Sequence, residues 1–166
     1  MSRPMLGLCG LLLTLSLGST YTRAQVWISE HTLWTDAVRK APRKPRPWIN
    51  LGLAREVAGD IDGAFVAHQT ALALSFQPRL TEYQQRFSRI ASETNIARLL
   101  AQTGREEFAL PMLNDILTRH PLFPWARYNR GVLLARLGRC QEGRPDFELA
   151  ERLDSALENP GCPPEP

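Results

Sequence analysis

Three histidines and three cysteines are all that the 166 residues carry of the side chains that most often ligate transition metals. No two of His31, His68 and His120 stand at ligand spacing from one another or from a cysteine, and no His-Glu-x-x-His pattern occurs. A Gly-x-Ser-x-Gly elbow is also absent, and "GLCG" is too apolar and wrongly placed to cradle a phosphate. We therefore expect no catalytic residue, no cofactor and no metal, and we read His68 as a helix-packing residue. Strong charge of one sign is missing too. Twenty Lys and Arg stand against 17 acids, a net charge of +3, so any positive field is local and no nucleic-acid partner is expected. The length suits one domain with appendages.

Charge vanishes between Arg3 and Arg23, where "MLGLCGLLLTLSLG" is almost continuously apolar. Residues 1–25 read either as a signal peptide, with Thr22 and Ala24 small enough for the cleavage subsites, or as a retained transmembrane anchor. Cys9 is not a lipidation site, because Leu8 before it is large and the apolar run ahead of it is short. Cys140 and Cys162 can pair in an oxidising compartment. A last helix from about Gln141 to Leu157 would be roughly 25 Å long, whereas five tail residues reach at most about 18 Å. Two unpaired thiols are expected unless that helix stops near Leu153.

What the chain does have is a repeat. Gly104 and Gly138 recur at a period of about 34 residues, and Gly59 precedes Gly104 by that period plus about three helical turns. In register with these glycines, Ala109 faces Gly143, Leu113 faces Phe147, Ile116 faces Ala150 and Asn95 faces Asn129. A frame starting at Pro45 supplies Trp48, Leu51, Gly52, Gly59, Ala64 and Ala71. Small residues at helical spacing let paired helices approach closely, and a glycine after the first helix of a pair suits a left-handed backbone. One such pair cannot bury its apolar face alone, so the units must stack.

With its Trp, Leu-Gly, Gly, Ala and Ala at matching spacings, "WINLGLAREVAGDIDGAFVAHQTAL" resembles the tetratricopeptide repeat. The resemblance covers about Val26 to Leu157; it is specific in "WINLG" and "YNRGVLLARLGR", and departs at Ala97, where the family usually has a glycine. It implies an all-α fold, a right-handed solenoid of antiparallel helix pairs, preceded by the hydrophobic N-terminal helix. The divisions expected are a half repeat at 26–44, repeat units at 45–78, 90–123 and 124–157, a helical extension at 79–89 and a disordered tail at 158–166. The extension "RLTEYQQRFSR" is close to three turns of helix. Leu80, Tyr83, Phe87 and Ile90 share one face, so one helix should run from about Leu80 to Gln102.

Asn50, Asn95 and Asn129 fall at the same position of their units, on the helices expected to line the concave face. An amide offers a donor and an acceptor, the pair needed to hold an extended peptide backbone without reading its sequence. The resemblance implies such a contact, since some family members bind peptide backbone through asparagine at this position; the alternative is a hydrogen bond to a neighbouring helix. Arg98 and Arg136 are expected to face the same groove, with Arg55 and Arg130 nearby, favouring an acidic segment, unless these arginines pair with Glu93 or Asp146. The run "RKAPRKPRP", Arg39 to Pro47, offers contact to anionic lipid headgroups, although its prolines chiefly set a turn and start the next helix.

The stretch "TRAQVWISEHTLWTDAVRKAPRKPRPWINLG" is similar to the junction in polytopic membrane glycosyltransferases of the O-mannosyltransferase type, whose last membrane helix runs into a tetratricopeptide tail. Trp27, Ser29, Glu30, Leu33, Trp34, Asp36, Pro42, Arg46, Asn50, Leu51 and Gly52 carry that likeness. It implies either a membrane-associated repeat module that scaffolds a protein or peptide partner, or the non-catalytic tail or a truncated fragment of such an enzyme. Arg23, Arg39 and Lys40 after the apolar segment favour a cytoplasmic repeat domain. The resemblance and the signal-like start favour the extracytoplasmic side, membrane-anchored or secreted, and that is our expectation.

Overall fold

The computed structural model describes residues 16–21 and 23–162. The core of the apolar segment expected at 1–25 and the end of the tail expected at 158–166 lie outside the described residues. Among the described residues all regular structure is helical. After helical residues at 16–21 and 23–25 come α1 (Glu30–Lys40), α2 (Pro45–Val57), α3 (Ile61–Leu74), α4 (Glu82–Gln102), α5 (Glu106–Arg119), α6 (Pro124–Arg136) and α7 (Cys140–Leu153). Among these residues no helix is long and apolar enough to cross a membrane.

Local chemistry sets the helix ends. Ser29 and Thr32 form a capping box at α1, and Thr81 with Gln84 does the same at α4. The Asp60 carboxylate caps α3 by accepting from the Gly63 N–H at 2.9 Å. Pro45 and Pro124 open α2 and α6, where a missing N–H costs nothing. Gly59, Gly104 and Gly138 have φ of +80°, +73° and +74°. Just after each, Asp60, Arg105 and Arg139 donate their N–H back to the carbonyls of Arg55, Leu100 and Leu134 at 2.9, 2.9 and 2.8 Å. The same stop is thus built three times, each enforced by a backbone angle that other residues resist.

Each helix packs chiefly on the next in the chain, and α2 also touches α4 while α4 touches α6. Three pairings repeat in the core. Gly52 lies against the His68 ring, where a Cβ would overlap it, and Gly131 lies against Phe147, 2.8 Å from where its Cβ would be. Between these units the equivalent residues are Ala97 and Leu113, both fully buried in one cluster. Here the added Cβ is matched by a branched side chain in place of a ring. That trade accounts for the departure at Ala97.

One expectation is refined and another needs correction. The helix expected from about Leu80 to Gln102 runs from Glu82 to Gln102 and is covered only from Ser88 onward: Ser88 and Ile90 are buried, whereas Tyr83 and Phe87 are 67% and 47% exposed. Their rings stack on each other, centroids 6.2 Å apart, along the overhanging first two turns. Cys140 and Cys162 are bonded, with Cα atoms 5.6 Å apart. The bond is possible because α7 stops at Leu153. The chain turns there, Leu157 donating its N–H to the Asp154 carbonyl at 3.0 Å and burying its own side chain to 4% exposure. The tail is therefore tied down as far as Cys162.

Candidate functional site

A groove of about 1660 Å³ runs across α2, α4 and α6. Asn50, Asn95 and Asn129 all line it, one from each helix. Their side chains have no hydrogen-bond partner among the described residues, so the alternative of a bond to a neighbouring helix is not realised. Asn129 is the most enclosed, at 8% exposure. Thr94, beside Asn95, also lines the groove with a buried hydroxyl that lacks a partner.

The arginines divide differently. Arg98 lines the groove, but both of its terminal nitrogens donate to Glu56, at 2.5 and 2.8 Å. The other neighbour of that carboxylate is the fully buried His68, whose Nε2 lies 3.0 Å from Glu56 Oε1. Burial pushes the Glu56 carboxyl up, but the hydrogen bonds from His68 and Arg98 outweigh it and hold it below the ordinary glutamate value. Glu56 is the one acid lining the groove among the described residues, and Arg98 neutralises it. Arg136 does not line the groove. Its guanidinium donates to the Ala101 carbonyl at 2.9 Å and lies 3.7 Å from Glu106. Arg55 donates to the Gly63 carbonyl, and Arg130 joins Arg127 on the buried Asp146.

Charge comes to the groove from elsewhere. Arg43, Lys44 and Arg46, in the turn before α2 and its first residues, and Arg79, ahead of α4, are exposed groove residues with no carboxylate within 4.0 Å among the described residues. The turn is pinned by Trp48, whose Nε1–H donates to the Pro42 carbonyl at 2.9 Å; Arg127 makes the equivalent bond to Pro121 at 2.6 Å. Aromatic rings line the groove too: Tyr83 and Phe87 from the first turns of α4, and Phe123, Trp125 and Tyr128 at the start of α6, of which Phe123 packs on the core and Tyr128 on Phe147. Sequence reasoning singled out the cations of Arg39 to Pro47 for lipid headgroups and not for this groove, and did not place Arg79 or the aromatics in it. The signal for the aromatics was available, since Trp125 occupies the position in its unit that Arg46 occupies in the first.

At the junction, Arg23 and Lys40 pair with Asp36 at 2.7 and 2.6 Å, with Arg39 at 2.8 Å. The hydrogen bond from Lys40, then those from Arg23 and Arg39, hold the Asp36 carboxyl well below the usual aspartate range. The Arg23 guanidinium also lies 5.9 Å from the centre of the Trp27 ring. No family profile matches the chain, and no curated protein matches it at a significant level.

Proposed function

We propose that the chain is a non-enzymatic, membrane-associated tetratricopeptide-type solenoid that holds an extended peptide segment of a partner protein in this groove. One observation carries the reading: three asparagines at equivalent positions of successive units line the same groove with their amides unpaired. A polar side chain on a helix surface has water as its default partner, and three in one row present donor and acceptor pairs that a peptide backbone can take up instead. The Cys140–Cys162 bond supports placement on the extracytoplasmic side, since disulfides persist in oxidising compartments.

The test selects binders from a random peptide display library and measures their affinity for the wild type and for Asn50→Ala/Asn95→Ala/Asn129→Ala. The triple variant should keep its helicity and bind at least about tenfold more weakly. Equal affinity for every selected peptide would overturn the reading.

A second reading, the non-catalytic tail of a polytopic membrane glycosyltransferase, is favoured by Arg23 of the junction stretch pairing with Asp36 while lying over the Trp27 ring. An in-frame polytopic membrane region in the upstream DNA supports it. A stop codon and a ribosome-binding site just before Met1 would rule it out.

A further inference from the structure

The groove is chemically lopsided along its length. At the α2 end stand Arg43, Lys44 and Arg46, and Arg79, ahead of α4, is a fourth groove cation, all exposed and free of ion pairs among the described residues. The middle is electrically quiet, because Glu56 and Arg98 cancel. The α6 end offers the exposed Trp125, and the first turns of α4 add the exposed Tyr83 and Phe87, whereas Phe123 and Tyr128 line the groove partly packed on the core and on Phe147. Exposed rings that no core contact occupies provide a surface for an apolar side chain. Unpaired cations gathered at the other end attract carboxylates and repel basic segments.

We infer that the groove selects a bipartite peptide: two or more carboxylates at the α2 end, and one aromatic or large aliphatic side chain at the α6 end. The inference rests on the peptide-holding reading above and specifies its ligand. The separation follows from the fold. Two helix-to-helix steps of 8–10 Å part α2 from α6, roughly 20 Å, which about six extended residues span at 3.3 Å each. Between the two ends the backbone passes Asn50, Asn95 and Asn129. Arg98 does not read the carboxylates, since Glu56 already satisfies it from within the chain.

Fluorescence anisotropy with labelled synthetic peptides tests this on the whole chain. The lead peptides carry three glutamates, a Ser-Ala spacer of about six residues and one Trp, and are made in both chain directions, because the groove is compatible with either. At least one direction should bind, at least about tenfold more tightly than the same composition with the Trp beside the glutamates. Arg43→Gln/Arg46→Gln/Arg79→Gln should abolish the advantage of the glutamates and the dependence on salt. Phe87→Ser/Trp125→Ser should abolish the advantage of the Trp alone. All these residues are exposed, and circular dichroism confirms that each variant is folded.

Three results would overturn the inference: affinity that ignores the spacing, equal binding of peptides that lack the Trp, or displacement of the lead peptide by anionic vesicles of phosphatidylserine and phosphatidylcholine. The last outcome would make the cationic turn a lipid surface. If library-selected peptides bind through the three asparagines yet need neither acid nor aromatic, the bipartite inference fails while the peptide-holding reading stands.

Discussion

Gly52 and Gly131 are not interchangeable with alanine, although alanine is the better helix former by about 0.8–1 kcal/mol. The His68 ring is fully buried and tied to Glu56, and Phe147 is equally enclosed, so neither can swing away from a new Cβ. Overpacking of this kind costs about 1–3 kcal/mol, which exceeds the gain in propensity. Gly131→Ala should therefore lower the denaturant midpoint. Adding Phe147→Leu should recover part of the loss by reproducing the Ala97 and Leu113 pairing of the middle unit. If the double variant is no more stable than Gly131→Ala alone, the proposed size trade is wrong.

At the scale of elements, the C-terminal tail and the exposed start of α4 are held by different means. The tail from Asp154 to Cys162 is closed onto the first residue of α7 by the disulfide, across a sequence separation of 22. A loop of that size loses about 3 kcal/mol of stability when opened, with strain and residual structure able to reduce the figure. Reductant, or Cys162→Ser, should lower the thermal midpoint, and differential scanning calorimetry would register no change if the tail contributes nothing. The overhang of α4 is the opposite case. Tyr83 and Phe87 project exposed from the first two turns of α4, so Tyr83→Ser/Phe87→Ser should alter stability by no more than about 0.5 kcal/mol. A large loss in urea denaturation would show that the rings have a packing role.

For the whole molecule, acid should act in one direction. Glu56 and Asp36 titrate below their ordinary values in the folded chain, the first despite burial and the second through its three cations. Their stabilisation is present above the unfolded carboxylate range and is lost as pH falls through it, from about 4.3 downward. His120 is also lowered, first by burial and then by Arg119, Arg89 and Arg86. The unfolded chain then binds its proton more readily, so stability already declines as pH drops below about 6.5. Denaturant midpoints between pH 7 and about pH 2 should fall monotonically. His120→Gln should flatten the upper part of that curve and Glu56→Gln the lower part, the latter with a loss at neutral pH because Arg98 loses its counter-charge and one of the two acceptor oxygens that Arg98 and His68 share becomes a donor. A midpoint that rises on acidification contradicts this assignment.

Most of the helices were legible in the chain itself, because their signals are local. The capping residues Ser29, Asp60 and Thr81, the opening Pro45 and Pro124, and the left-handed Gly59, Gly104 and Gly138 act within one turn of backbone. Burial of Leu51, Ala64, Ala71 and Ile116 likewise followed from period alone. The asparagines, equivalent in the repeat, could be expected to share a surface before any coordinates existed. Other features depended on which element came to lie beside which. Arg98 belongs to Glu56, a residue 42 positions away, and not to the nearby Glu93; Arg136 is directed to Ala101. The cations of the α1–α2 turn reached the groove because Trp48 pins that turn, and the disulfide formed because the chain reversed at Asp154. Periodicity specifies the face a residue occupies on its own helix, whereas its partner is chosen by packing between helices, and that choice exists only in the folded chain.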